Sequence, residues 1–347
     1  MVLRFNHKRI VNTFLYCLYL CVIILALMEM AYRFQVIDFY RAELNSLNAE
    51  TDLLPTNEKK TILVCGDSFT AQSGSWLDQL RDSLPNYRII NSAITGTSIV
   101  ETSYIAPKRI RSLDPDIFIY QIYVGNDLMG VRHPLNWHDL SAMRNVYWWL
   151  ADRIHVLAYL NYRMGQWRWR FTSTDDSSNN PGEPATDDKF ELKHYSLREK
   201  IYAQGDPFLI SNSVLLKNNR DEDMDYLLSS LNDIVSELRP DCRIFLLVIP
   251  HKAQINTSYL SNMNDVGFRF DLPFTPGSEH YPFIEKLKSH FLSNRNVEVL
   301  NPLTPLVQKD SVSERMYFLN EEHLSKAGQA TVKDLVLDRL QDFDRIK

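Results

Sequence analysis

The run DIFIYQIYV, residues 116–124, limits the fold more than any other stretch of the chain. It is nearly apolar throughout instead of alternating, the pattern of a parallel strand with helices covering both faces. RIFLLVIP, at 243–250, repeats the pattern, and shorter apolar runs stand at 61–65, 87–91 and 297–302. Helical patterns fall between them. Trp76, Leu77, Leu80 and Leu84 share one helical face. Further helices are expected at 99–113 (interrupted near Pro107), 223–238 and 325–340. Strands that alternate with helices predict a doubly wound sheet of five parallel strands.

The alternation is broken by residues 128–220, which hold five of the six tryptophans and so read as a large helical insertion. Within it, STDDSSNNPGEPATDD lacks apolar content and is expected to be a disordered loop at about 172–190. In residues 145–171, Trp148, Trp149, Trp167 and Trp169 interleave with Arg153, Arg163, Arg168 and Arg170. That segment suits an acyl- or sugar-binding lid, a helix on a membrane surface, or a helix packed on the domain. An insertion of this length is expected to shape access to a substrate.

At the N-terminus, Arg4, Lys8 and Arg9 precede the apolar run FLYCLYLCVIILALM at 14–28. With Ile10 and Val11 it approaches the ~20 residues that cross a bilayer. No small-x-small cleavage site comes after it, since Glu29, Met30, Tyr32 and Arg33 are bulky or charged. The expectation is a retained single-pass signal-anchor at 10–31, with residues 1–9 cytoplasmic and the rest outside the cytoplasm. Residues 32–59 read as a stalk and 60–345 as the folded domain. The net charge of −5, with no basic tract, argues against nucleic acid as a partner. Four cysteines are too few for a disulfide scaffold. No metal-ligand spacing, phosphate-cradling loop or nucleotide fingerprint is present, so neither metal nor cofactor is expected.

In doubly wound sheets the reactive groups gather beyond the carboxyl ends of the strands. The first strand ends on Gly66-Asp67-Ser68, where a tight turn would aim the Ser68 hydroxyl away from the sheet. A serine needs a base to take its proton and donors to stabilise the oxyanion that forms. The other strand ends supply them. NSAITGTSI comes after the second strand and brings Gly96; VGNDL comes after the third and brings Asn126; MYFLNEEHLSKAGQ comes after the fifth and brings His323. Each also has a plainer reading. Ser68 would serve as a helix N-cap, His323 as a capping or surface histidine, and Gly96 and Asn126 as turn residues. Asp67 and Asp127 are read as acceptors that hold the turns. His251 and Lys252, past the fourth strand, suit either an anionic substrate group or a plain loop.

Taken together, these blocks resemble the SGNH hydrolases, also called the GDSL family, across roughly residues 60–345 without the insertion. GDSFT is similar to the first block, the glycine of AITGTS to the second, GND to the third, and the segment around His323 to the fifth. The resemblance implies a flavodoxin-like three-layer α/β/α sandwich. It makes Ser68 the nucleophile, His323 the base, and the Ser68 N–H, Gly96 N–H and Asn126 amide the oxyanion hole. The chain departs from the family at the last block, where the acid three before His323 is replaced by Asn320. Glu321, two before it, can orient His323 instead, with Asn320 or a backbone carbonyl as alternatives. The functions implied are a serine esterase, an O-acyltransferase (O-acetyl) on an envelope polysaccharide, or a non-catalytic binding protein on a hydrolase scaffold. The partners implied are an ester-bearing substrate such as an acylated glycan or lipid, the membrane, and a membrane protein that donates acyl groups.

Overall fold

The computed structural model describes residues 7–54, 59–136, 140–172 and 189–346. Its centre is a sheet of five parallel strands: β1 (Lys60–Cys65), β2 (Tyr87–Asn91), β3 (Ile117–Tyr123), β4 (Arg243–Ile249) and β5 (Val297–Leu300). Their order is β2-β1-β3-β4-β5, the flavodoxin-like arrangement. Every residue of β3 is buried, as the unbroken apolar run requires of the central strand. Pairing is in register from Ile62 against Ile117 and from Ile117 against Arg243.

Before the sheet come α1 (His7–Arg33) and α2 (Arg41–Leu47). Between β1 and β3 lie α3 (Ser68–Ala71), α4 (Trp76–Ser83) and α5 (Ile99–Leu113). The insertion supplies α6 (Asp127–Val131), α7 (Ala142–Ala151), α8 (Val156–Thr172), α9 (Leu197–Gly205) and α10 (Leu209–Leu215). After them come α11 (Arg220–Ser236), α12 (Thr257–Val266), α13 (Pro282–Phe291), α14 (Leu303–Lys309) and α15 (Lys326–Ile346). Helices α4 and α15 pack together on one face of the sheet, and α5, α11 and α13 form the layer on the other. Helix α5 runs unbroken through Pro107, contrary to the expected interruption. A full capping box at Ser98 and Glu101 starts it, and its packing on β1 and α11 holds it in line.

Helix α1 contains one span, Val11–Arg33, long and apolar enough to cross a membrane; a signal sequence passes the same test. Residues 32–54, a stalk by sequence, are seated on the domain instead. Tyr32, Phe39 and Tyr40 are buried with Ile94, Ile105 and Val156. Arg109 of α5 reaches them, donating to the Tyr40 carbonyl at 3.3 Å and to Asp38 Oδ1 at 3.4 Å. The reason is compositional: the stretch carries several aromatics, and three buried ones outweigh the cost of ordering a short segment. The loop expected at about 172–190 falls almost wholly outside the described residues.

Candidate active site

Strand β1 delivers its carboxyl end to Gly66, and a side chain from the neighbouring strand shapes the turn beyond it. Gln121 is the single amide of β3, and it is buried. Its Oε1 accepts the Asp67 N–H at 3.1 Å and the Thr70 hydroxyl at 3.0 Å. A Cβ on Gly66 would lie 2.7 Å from that same Oε1, so the position requires glycine. Asp67 then caps α3 by accepting the Phe69 N–H at 3.0 Å. Ser68 is the first residue of that helix, 7 % exposed, and its N–H has no acceptor among the described residues.

The histidine arrives from the opposite direction. After α14 the chain forms a small loop closed by the Tyr317–Leu324 bridge, with the Phe318 N–H donating to the His323 carbonyl at 3.0 Å. His323 Nε2 lies 2.8 Å from Ser68 Oγ across 255 residues of chain. The Phe69 ring packs beside the imidazole, with centroids 4.9 Å apart. His323 Nδ1 is 3.5 Å from Glu321 Oε2, an ion-pair distance longer than a good hydrogen bond. Burial works against imidazolium here, but Glu321, Glu322 and Asp67 outweigh it and hold His323 above its ordinary range. Asn320 is engaged elsewhere: it accepts the Glu191 N–H at 2.8 Å and donates to the Lys189 carbonyl at 2.9 Å. Of the two side chains expected as partners for His323, the structure brings Glu321 to the ring and ties Asn320 to the returning end of the insertion.

The loop after β2 continues the sheet pairing, since the Ile94 N–H donates to the Gly66 carbonyl at 3.0 Å. It then turns at Gly96, whose φ of +75° is costly for any residue with a Cβ. The Gly96 N–H, like that of Ser68, has no acceptor among the described residues. Asn126 donates from Nδ2 to Asp67 Oδ2 at 3.3 Å, which brings its amide beside the Ser68 turn with one further N–H available. Asp127 is buried and accepts from the Tyr123 N–H at 2.7 Å, the Ile99 N–H at 3.1 Å and the Tyr120 hydroxyl at 3.2 Å. It thereby locks the loops after β2 and β3 to each other. Burial, then the Asp67 carboxylate, raises its pKa well above the usual range despite those donors.

Lys252 and His251 do not face the site as solvent-open groups. Lys252 is fully buried, and its Nζ donates to the carbonyls of Phe318, Leu319 and Glu321 at 3.0, 3.1 and 2.9 Å. The ammonium thus holds the loop that carries His323 from beneath. His251 Nδ1 accepts the Ala253 N–H at 3.1 Å, and burial, reinforced by Lys252, pushes its pKa down to about 3. Sequence reasoning missed Gln121, the anchoring role of Lys252, and two residues of α9, Arg198 and Glu199. Gln121 had a signal, a single amide within an apolar strand. The α9 pair had none. Burial, then Glu322, raises the Glu199 pKa against the pull of Arg198, Lys252 and His323.

Beside Gly96 and Asn126 opens a cavity of about 1010 Å³. Its far wall is formed by α7, α8 and α9, with Tyr147, Trp148, Tyr162 and Tyr202 among its lining. Trp148 is buried while Trp149 is 48 % exposed; the side chains of Trp167 and Trp169 lie outside the described residues. Among the described residues, no cluster of three His, Cys, Asp or Glu side chains is placed to hold a metal ion. All four cysteines are unpaired.

The sequence matches no family model and no curated protein. Solved structures do align with it. A GDSL-like lipase from Bacteroides thetaiotaomicron aligns at 10 % identity and a TM-score of 0.41, over 88 % of this chain and 99 % of its own. A member of the lipolytic protein G-D-S-L family from Veillonella parvula aligns at 12 % identity and a TM-score of 0.38, over 80 % of this chain and 97 % of its own. TesA aligns at 12 % identity and a TM-score of 0.39, over 82 % of this chain and 99 % of its own. Two of these three are described as GDSL-type lipolytic proteins. At such identities and TM-scores the likeness carries no argument of its own, and the chemistry must be argued from the residues above.

Proposed function

We propose that the protein is a serine esterase that works through an acyl-enzyme, anchored by α1 to the cytoplasmic membrane with its domain outside the cytoplasm. The observation that carries this reading is the 2.8 Å approach of His323 Nε2 to Ser68 Oγ, with donors left open beside them. Ser68 Oγ attacks the ester carbonyl carbon as its proton passes to His323 Nε2. The Ser68 N–H, the Gly96 N–H and the Asn126 amide receive the oxyanion. Collapse expels the alcohol, which takes the proton from His323, and leaves acyl-Ser68. Water then gives a proton to His323 Nε2 and attacks the acyl carbon; collapse breaks the bond to Ser68 Oγ, which takes that proton back from His323 as the acid leaves. Glu321 stabilises the imidazolium formed at each stage.

Two measurements test this on the full-length protein. Turnover of short- and long-chain esters should disappear in Ser68→Ala, and a fluorophosphonate probe should modify Ser68 alone. Folded protein that neither turns over esters nor takes the probe would favour a non-catalytic binding role.

One observation favours a second acceptor. The cavity beside Gly96 and Asn126 is walled by aromatic and polar side chains, which suit the faces and hydroxyls of a sugar ring. In that reading a glycan hydroxyl replaces water, the product is an O-acyl (O-acetyl) polysaccharide, and a membrane protein supplies the acyl group. Product analysis separates the two, by acyl groups transferred to an oligosaccharide against free acid released.

A further inference from the structure

Arg198 lies on α9, in the insertion, and its Nη1 sits 3.6 Å from where a Cβ on Gly96 would be. Its Nε donates to the Tyr202 hydroxyl at 2.8 Å, and the guanidinium lies over the Tyr202 ring at 5.4 Å. These two contacts fix the fork. Neither Nη has an acceptor among the described residues, and no carboxylate there stands within ion-pairing distance. Glu101, the carboxylate lining the same cavity, accepts the Ser98 N–H at 2.9 Å and hydroxyl at 3.0 Å through Oε2 and makes no ion pair with Arg198. Arg144, on α7 and lining the same cavity, lies 5.9 Å from the Trp148 ring and is likewise without an ion pair among the described residues. This half-buried guanidinium lines the cavity with its outer nitrogens unbonded, and Glu322 and Glu199 act on it without pairing with it, which leaves the fork suited to a planar anion.

We propose that Arg198 makes this an anion-reading cavity, so that the preferred ester carries a carboxylate or similar anionic group within reach of the scissile carbonyl. The proposal rests on the esterase reading for which bond is scissile, but its test is one of binding. Arg198 would hold the anion in the fork while Tyr202 keeps the guanidinium plane fixed. The ester carbonyl would then be directed toward Gly96 and Asn126. The chemistry recognised is the anion next to the ester, whichever of the acyl and alcohol portions bears it.

Affinities are measured by calorimetry on full-length Ser68→Ala protein in detergent micelles, with two matched pairs of ligands. The first pair is 4-acetoxybenzoate and 4-acetoxybenzamide, with the charge on the alcohol side. The second is monoethyl succinate and ethyl succinamate, with the charge on the acyl side. In at least one pair the anion should bind about 10-fold or more tightly than its neutral partner, the worth of a charge-assisted hydrogen bond. Adding Arg198→Gln should erase that preference, and Arg198→Lys should retain only part of it. Equal affinities within both pairs overturn the proposal, as does a preference that survives Arg198→Gln. Loss of ester turnover by the wild-type protein would overturn the esterase reading alone, since anion-selective binding is read without turnover.

Discussion

Asn126 shows how much of the site depends on single polar atoms. Its amide is steered by the Asp67 carboxylate, because a carbonyl oxygen facing that carboxylate would be repelled. Under the esterase mechanism, Asn126→Ala removes one oxyanion donor and should lower kcat by about 10²–10³-fold with little change in stability; steady-state kinetics on a chromogenic ester checks this. Glu321 tests the base. General-base catalysis needs neutral imidazole, so kcat/KM should rise with pH through the pKa of His323. That pKa is raised because the nearby carboxylates outweigh burial. The acid limb should therefore lie above the ~6.5 of an ordinary histidine. In Glu321→Gln the limb should move to lower pH and the plateau should fall. A pH–rate profile of both proteins measures each effect. Ser68, Gly96, Asn126 and His323 were legible in the chain as candidates, the first three because they stand in loops that leave strand ends and His323 because it stands just before the last helix. Arg198 and Glu199 were not. They come from a helix of the insertion whose place over Gly96 results from packing alone.

At the scale of elements, the loops are held by buried groups behind them. The segment before α15 has little regular structure, yet it must place an imidazole within hydrogen-bond reach of Ser68. Lys252 does much of this by donating to three of its carbonyls, with its ammonium also 4.7 Å from the Tyr195 ring. Lys252→Met would leave those carbonyls without their donor in a buried place, at about 1–3 kcal/mol each. The expected outcome is a loss of more than about 3 kcal/mol in urea unfolding. Weakened fluorophosphonate labelling should accompany it, as His323 drifts from Ser68. The sequence places Lys252 correctly beyond β4, but whether it points to solvent or beneath the loop depends on where residues 318–321 settle. Pro107 teaches the same lesson in reverse. Local rules break the helix there, while packing of α5 against β1 and α11 carries it through.

In the whole molecule, the membrane-type helix and the insertion are joined. Glu29, near the end of α1, accepts the N–H groups of His155 and Val156 at 3.2 and 2.8 Å and so occupies the N-terminus of α8. Arg33 donates to the Arg153 carbonyl at 3.0 Å, and Tyr32 packs between Phe39, Tyr104 and Tyr159. Helix α8 is also a wall of the cavity beside Gly96. A fragment starting at residue 41 would lose these contacts, while one starting at residue 29 would keep them. With about 1.5–3 kcal/mol for each large side chain uncovered, the shorter fragment should be several kcal/mol less stable. Urea unfolding of the two fragments checks the difference.

The sequence by itself determined the five-stranded parallel sheet, because apolar runs must be covered on both faces and helices between strands provide the cover. It also determined which loops lie at the carboxyl edge. Only the tertiary structure decided that residues 32–54 are seated on the domain, that Lys252 is an internal tether, and that Arg198 overlooks Gly96. Those outcomes depend on which surfaces meet across more than a hundred residues of chain, and no local periodicity records that choice.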